Sequence, residues 1–159
     1  MSKVKKLLLI AAVGFVVFYL SFGAYSSMGM GFRGTPLTSD AMDGDVAAVR
    51  LDLKAGANPN DKNNNGETAM DVALDVWPEN VGQIVGLLID YGANANSPLA
   101  KVMIGGTDPT ERLQVAKVAI AKGANVNQHY SNGTTPLSLA KIMNDVAMIK
   151  LLKHAGAKK

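Results

Sequence analysis

Few residues of this chain have the types and spacing that catalysis requires. His129 and His154 are the only histidines, and the chain has no cysteine. The missing cysteine excludes thiol nucleophiles, disulfides and Cys-based zinc sites. His129 falls in a predicted hairpin tip. His154 falls in the last turn of the last predicted helix, where a basic side chain lies near the negative end of the helix dipole. Both are therefore interpreted as surface residues.

The remaining candidates for chemistry also have simpler explanations. Asp43 and Asp45 are paired carboxylates, but they lie at a predicted helix turn, where capping or solvation accounts for them. Gly105-Gly106 precedes an acidic, proline-containing loop, and no Walker loop, nucleotide-binding glycine fingerprint, G-x-S-x-G or H-E-x-x-H occurs. Asn132-Gly133-Thr134 matches a glycosylation sequon, although Asn-Gly is first a turn dipeptide. We therefore predict a non-catalytic protein without cofactor, metal or small-molecule substrate.

The charge pattern argues against a nucleic-acid partner, although the sequence pI is near 9.1. Four basic residues precede residue 35, namely Lys3, Lys5, Lys6 and Arg33. The rest of the chain carries 12 Lys/Arg and all 13 Asp/Glu, a net charge of −1. A near-neutral remainder offers no basic stripe of the kind that neutralises phosphates.

The N-terminal residues predict a membrane-directed segment. Three lysines are followed by an uncharged stretch from Leu7 to Phe32, and its densest apolar part ends at Leu20. That part has the length of a signal-peptide core, and extension to Tyr25 gives a run that can just cross a bilayer. Two interpretations stay open for residues 1–25: an uncleaved signal-anchor, which is preferred, and a cleaved signal peptide. A buried core helix is disfavoured because the segment has no polar face.

Both interpretations predict the same location for the rest of the chain. The positive-inside rule keeps the lysines in the cytoplasm, so the chain after residue 25 is exported. Residues 26–34 contain three glycines and two serines and are interpreted as a flexible linker. Residues 35–159 are then a domain outside the cytoplasm, anchored through residues 7–25 or secreted after cleavage.

An internal repeat organises residues 35–159. Gly-Ala occurs at Gly56, Gly92, Gly123 and Gly156, each after apolar residues spaced with a helical period. A glycine at these positions can adopt the left-handed conformation that ends a helix. Upstream of each glycine lies a second helical segment that opens with Thr or Ser, at Thr35, Thr68, Ser97 and Thr135. Such a hydroxyl caps free backbone N–H groups. We therefore predict four pairs of helices.

These motifs resemble the ankyrin-repeat family, in which Thr-Pro-Leu opens the first helix and Leu-Leu-x-x-Gly-Ala closes the second. Thr35-Pro36-Leu37 and Thr135-Pro136-Leu137 match that opening. The resemblance covers residues 35–157 and implies an all-α solenoid of about four helix-turn-helix units after the N-terminal hydrophobic helix. The approximate repeats are 35–57, 66–93, 97–124 and 133–157.

The chain also departs from the family pattern. The histidine that follows Thr-Pro-Leu in the family, and links adjacent repeats there, is replaced by Thr38, Asp71, Ala100 and Ser138. Inter-repeat coupling is therefore expected to be looser, or to come from Thr, Asp and Ser. The segment from Gly92 to Ser97 lacks about seven residues that form a hairpin tip elsewhere. It predicts a notch in the row of tips, with a compensating insertion in "GGTDPTE".

The resemblance implies a concave protein-binding face made of hairpin tips and first-helix ends. At the helix ends it places Met42, Asp43, Asp75, Val76, Trp77, Ile104, Ile142 and Met143. At the tips it places Lys62, Asn64, Asn65, Glu67, His129, Tyr130, Ser131 and Asn132. The helix-end positions are unusually apolar and include the only Trp, which favours protein binding. The alternative for Trp77 is that it folds onto its own insert and covers the core.

Two functions remain open at this point. The resemblance implies a non-catalytic interaction module that binds a protein partner outside the cytoplasm, for example as an accessory, inhibitor or immunity protein of an exported enzyme. The alternative is a structural membrane protein that acts through its N-terminal helix, with the repeats as a spacer. No G-x-x-x-G lies within Leu7–Leu20, so the sequence gives little support for tight helix pairing there.

Overall fold

A computed structural model describes residues 35–104 and 108–158. The expectations for residues 1–25 and for the linker 26–34 fall outside this part. The described residues are all-α, with eight helices and no strand. The helices are α1 (Pro36–Asp43), α2 (Val46–Lys54), α3 (Ala69–Val76), α4 (Val81–Asp90), α5 (Asn96–Ile104), α6 (Pro109–Ala121), α7 (Pro136–Ile142) and α8 (Val146–His154). None of them is long and apolar enough to cross a membrane.

The helices pack as four hairpins stacked in chain order. Each odd-numbered helix contacts the even-numbered helix that follows it, and these pairs form the hairpins. The odd-numbered helices, called the first helices below, also contact one another in the order α1, α3, α5, α7. The even-numbered, second helices make a parallel set of contacts in the order α2, α4, α6, α8. The result is two layers of helices, each layer a row of four.

One continuous apolar core lies between the two layers. Every hairpin contributes side chains that are almost fully buried, of which the largest are Val49, Leu74, Ile84, Leu88, Leu99, Met103, Val115, Met148 and Leu152. These residues recur at helical spacing because one stripe of each helix must face the other layer. Because the core is shared between hairpins, each hairpin depends on its neighbours for stability.

The first helices begin where the Thr residues predict. The side-chain oxygens of Thr35, Thr68 and Thr135 each accept a hydrogen bond from the backbone N–H three residues later. At α3 the Asp71 carboxylate completes a capping box by accepting from the Thr68 N–H at 3.0 Å. The exception is α5, which begins at Asn96, so Ser97 lies inside the first turn and does not cap it. There the Asn94 side chain accepts from the Asn96 N–H at 2.9 Å.

The second helices end at the repeated glycines, as predicted. In the second hairpin the Ala93 N–H donates to the carbonyl of Leu88, and the Gly92 N–H donates to that of Ile89. This pair of bonds is a Schellman motif, and the other three Gly-Ala sites repeat it. Gly92 has φ +103°, a value that side chains other than glycine rarely adopt.

The junction between the second and third hairpins is short, as the sequence predicts. Only residues 91–95 separate α4 from α5, whereas residues 55–68 and 122–135 separate the other neighbouring hairpins. No hairpin tip forms at this junction. The described part of the compensating insertion, by contrast, belongs to the start of a helix. Asp108 and Pro109 start a helix, with the Asp108 carboxylate accepting from the Thr110 N–H at 2.7 Å, and α6 is therefore the longest helix of the described residues.

Asparagines couple neighbouring hairpins, and the sequence interpretation missed them. The Asn60 side chain donates to the carbonyl of Gly92 at 3.1 Å. The Asn96 side chain accepts from the Asn125 N–H at 2.7 Å. The Asn127 side chain donates to the carbonyl of Gly156 and accepts from the Lys158 N–H. We call these bonds the asparagine ladder.

The expectation that Thr, Asp and Ser couple the repeats is wrong for the described residues. The hydroxyls of Thr38 and Ser138 donate to the carbonyls of Thr35 and Thr135, and Asp71 bonds to Thr68. All three side chains form their hydrogen bonds within the first turn of their own helix, because they lie only three residues from its N-cap. The asparagines lie in or beside the junctions between hairpins, where their side chains are within hydrogen-bond distance of the neighbouring junction.

Candidate protein-binding surface

The carboxyl ends of the first helices form a row on one side of the stack. The two helices of each hairpin lie only a few residues apart in the chain and contact each other, so we infer that they run antiparallel and that all four first helices point the same way. We call this feature the helix-end row. It comprises Met42, Asp43, Asp75, Val76, Lys101, Lys141, Ile142 and Met143. A salt bridge of 2.6 Å from the Lys101 Nζ to an Asp75 carboxylate oxygen ties the ends of α3 and α5 together.

The helix-end row exposes apolar side chains at both of its ends. Relative exposure is 41% for Met42 and 53% for Val76 on the side of the first two hairpins. It is 70% for Ile142 and 42% for Met143 on the last hairpin. Ile104 ends α5 in the same row, but its side chain lies outside the described part. Exposed apolar residues are ordinary when they are isolated, whereas an aligned set is typical of a binding surface.

Trp77 does not belong to the exposed part of this row. The residue ends α3 in the left-handed conformation, with φ 54°, and its side chain is half-buried against the apolar core. Trp77 therefore packs as in the alternative interpretation, in which its side chain covers the core. Next to it, Pro78 lies so close to the turn of the first hairpin that a Cβ on Gly44 would be 2.8 Å from the Pro78 Cβ. The insert thus packs the first two hairpins together.

The first hairpin tip presents polar groups around an internally bonded turn. Asn63 organises it: its side chain accepts from the N–H groups of Asn65 and Glu67 and donates to the Glu67 carboxylate. Glu67 is held within the tip by these contacts. Asn64 is exposed and has no hydrogen bond among the described residues. Asn64, Asn65 and Lys62 are therefore the groups of this tip that are open to a partner.

The second tip borders a cavity. Tyr130 takes the position that Asn63 has in the first tip, since the Gly133 N–H donates to its carbonyl and its own N–H donates to that of Thr134. Its phenol is half-buried, and burial raises the pKa of Tyr130. Beside it lies a cavity of about 280 Å³, lined by Ala100, Tyr130, Ser131, Asn132, Thr134 and Leu139. Ala100 belongs to α5, the helix that lacks a tip of its own. His129 is exposed on the same tip.

Charge is separated along the stack. Residues 35–95, which form the first two hairpins, contain ten Asp/Glu and three Lys/Arg, a net of −7. Residues 96–159, which include the last two, contain three Asp/Glu and nine Lys/Arg, a net of +6. The near-neutral total used in the sequence interpretation conceals this polarity. In the helix-end row the order is Asp43, Asp75, Lys101, Lys141, two negative positions followed by two positive ones.

A carboxyl pair lies within the acidic half. Asp40 on α1 and Asp52 on α2 are close enough to influence each other's ionisation. Burial, followed by the charges of Asp52, Asp45 and Asp43, raises the pKa of Asp40 to about 6. Burial also raises the pKa of Asp52. A pair of this kind can hold one proton between two carboxyl groups. It lacks the third ligand and the open geometry of a metal site, and the described residues contain no cluster of His and carboxylates that could hold a metal ion.

The opposite layer carries a shallower feature. A groove of about 400 Å³ runs between α2, α4 and α6, lined by Arg50, Gly82, Gln83, Gly86, Leu87, Asp90, Gln114, Val118 and Lys122. Lys122 and Asp90 form an ion pair at its edge. Its floor is helix backbone at Gly82 and Gly86, which face Gln114, Val118 and Lys122. This open, polar groove lacks the aligned apolar side chains of the helix-end row.

Comparison with known proteins does not add to this description: no family model matches the chain, and no curated protein matches it.

Proposed function

We propose that residues 35–159 are an ankyrin-repeat module that binds a protein partner through the helix-end row and the two hairpin tips. Four features support the ankyrin assignment: the ordered stack of helical hairpins, the Thr caps, the Schellman ends at Gly-Ala, and the tips that project between hairpins. A stack of this kind offers extended side surfaces for binding.

The observation that carries the proposal is the exposure of Met42, Val76, Ile142 and Met143 along one row. These side chains are held on rigid helix ends, so a partner would bury them without first ordering them. Exposed charges and amides surround them, an arrangement of apolar centre and polar rim that protein interfaces share. The cavity beside Tyr130 adds a recess into which one side chain of a partner can insert.

The module acts, on this proposal, outside the cytoplasm and without catalysis. The location is supported by the three N-terminal lysines and the uncharged stretch that follows them. The non-catalytic role is supported by the positions of the histidines, since His129 and His154 are both exposed and lie on different parts of the fold. A binding module of this kind acts on an exported protein as an accessory, inhibitor or immunity partner.

Cross-linking in the intact cell envelope tests the proposal. The full chain is captured with its cross-linked partners, which are identified by mass spectrometry. Val76→Ser combined with Met143→Ser removes two exposed contacts from opposite ends of the row. Leu51→Ser is the matched control, because Leu51 is 62% exposed but lies on α2. We expect the double variant to lose a partner that the control retains. Capture at full strength by the double variant would place the binding surface elsewhere.

A further inference from the structure

We propose that the helix-end row is self-complementary and that a second copy of this chain binds to it in antiparallel orientation. This inference rests on the binding surface proposed above and names one occupant of it. The dimer is then a state in which the row is covered and has to open before another partner can bind.

The order of charges along the row specifies the antiparallel orientation. From α1 to α7 the row reads Asp43, Asp75, Lys101, Lys141. A rotation of 180° about an axis between α3 and α5 places Asp43 opposite Lys141 of the second copy and Asp75 opposite Lys101. A parallel orientation instead places each charge opposite a like charge, which is destabilising.

The exposed charges that have no ion-pair partner among the described residues lie at the two ends of the row. Asp75 and Lys101 already neutralise each other at the centre of the row, at 2.6 Å. Asp43 and Lys141 lie at its two ends, are both exposed, and form no ion pair within the described residues. A second copy supplies the opposite charge at both ends. Because the axis is two-fold, each contact is made twice, and the assembly closes as a dimer.

The apolar side chains follow the same symmetry. Met42 lies next to Asp43, while Ile142 and Met143 lie next to Lys141. The rotation that pairs the charges therefore also brings Met42 against Ile142 and Met143 of the second copy. Each copy contributes two exposed apolar clusters, Met42 and the pair Ile142 and Met143. In the dimer these four clusters form two buried contacts, and the removal of apolar surface from water favours association.

The two halves of the chain favour the same orientation at longer range. The net charges of −7 and +6 lie on successive halves of the stack, so antiparallel copies place the acidic half of one beside the basic half of the other. The acidic half also experiences repulsion among its own carboxylates, since Asp52, Asp45 and Asp43 contribute to the raised pKa of Asp40. Lysines from a second copy reduce that repulsion.

Single cysteines give a direct test, because the chain has none of its own. Asp43→Cys and Lys141→Cys are introduced into separate full-length chains, which are mixed and treated with a short bismaleimide. The two positions are three helix spacings apart within one chain, about 25–30 Å at 8–10 Å per spacing. A cross-link between them therefore joins two copies. We expect covalent dimers in the mixture and little product from either variant alone, because in the antiparallel dimer like positions are far apart.

Two controls complete the experiment. Lys150→Cys, an exposed site on α8, replaces Lys141→Cys and is expected to give no dimer with Asp43→Cys. Raising the salt from about 50 mM to about 500 mM should lower the yield, because the end charges are exposed and screened. Equal cross-linking by Asp43→Cys alone, or none in the mixture, overturns the antiparallel dimer. If the cross-linking capture of a partner still depended on Val76 and Met143, the proposed function would be supported even without the dimer.

Discussion

Arg112 donates a hydrogen bond from its guanidinium to the Asp145 carboxylate at 2.9 Å, joining the third hairpin to the fourth. The side chains are only 8% and 13% exposed. Asp145 also caps α8, since its other carboxylate oxygen accepts from the Met148 N–H at 3.0 Å. One carboxylate thus starts a helix and compensates a buried cation. Removing one partner of a buried pair leaves an uncompensated charge.

We therefore expect Asp145→Ala to destabilise the fold by about 3–5 kcal/mol, the usual cost of breaking a buried ion pair. The matched control is Asp45→Ala, because Asp45 caps α2 through the N–H groups of Ala47 and Ala48 but forms no ion pair among the described residues. Loss of the cap alone should cost about 1 kcal/mol. Urea unfolding of the full chain measures both, and equal losses would show that the Arg112 contact adds nothing.

The pair Asp40–Asp52 predicts a stability that falls as pH rises. The pKa of Asp40 is raised from 3.8 to about 6 in the folded chain. The native state therefore binds more protons than the unfolded state between these values, and the free energy of unfolding decreases from about pH 4 to about pH 6. Asp40→Asn removes the contribution of Asp40 to this dependence and leaves that of Asp52. It should stabilise the fold at pH 7 by about 1–2 kcal/mol, after allowance for solvent screening.

Glu79→Gln is the control for that measurement, because Glu79 is exposed and is not among the carboxylates that raise the pKa of Asp40. Its effect should stay within about 0.5 kcal/mol. Unfolding followed in a series of buffers from pH 4 to pH 7 gives both curves. A wild-type curve that does not fall relative to the Asp40→Asn curve over this interval would contradict the raised pKa of Asp40.

Two glycines of the second hairpin predict opposite effects of the same substitution. Gly92→Ala should cost about 1–2 kcal/mol, because φ is +103° and the strain is conformational, with no atom within 4 Å of the added Cβ. Gly86 lies inside α4, and its added Cβ would be 3.4 Å from the Lys122 Cε and 3.5 Å from the Val118 Cγ1. These are ordinary contacts, so Gly86→Ala should gain about 0.5–1 kcal/mol of helix propensity. Thermal unfolding reports the sign of each.

The asparagine ladder predicts a local effect on the last hairpin. Asn127→Ala removes the bonds to Gly156 and Lys158 and should cost about 1–2 kcal/mol. Faster amide hydrogen exchange is expected in α8 and not in α2. Asn64→Ala is the control, because Asn64 is exposed on a tip and has no hydrogen bond among the described residues. Uniform exchange changes across the stack would indicate that the ladder does not hold this hairpin in place.

The helical layout could be predicted from the sequence because its signals are local. A Thr caps the N–H group three residues later, and a glycine ends the helix that precedes it. Each signal therefore acts within one helical turn. The short junction at Gly92 was predictable for the same reason. Ser97 is the exception: its hydroxyl suggests a cap, but the helix begins one residue earlier, at Asn96, whose N–H donates to the Asn94 side chain.

The contacts between hairpins could not be predicted, because they depend on which residues the stack brings together. Arg112 and Asp145 are far apart in sequence, and nothing near either residue indicates the other. The register of Trp77 predicts a place in the binding surface, whereas its half-buried side chain packs against the core. The separation of negative and positive charge between the two halves can be read from the sequence, but the net charge of the whole domain does not show it.

The short α4–α5 junction also has a consequence for the order in which the chain folds. Closing a loop costs entropy that grows with its length, and this link is the shortest between neighbouring hairpins. We therefore expect the second and third hairpins to meet first, with nucleation at the middle of the stack spreading to both ends. Conservative core substitutions at Leu88 and Leu99 should slow folding, while those at Val49 and Met148 should mainly speed unfolding.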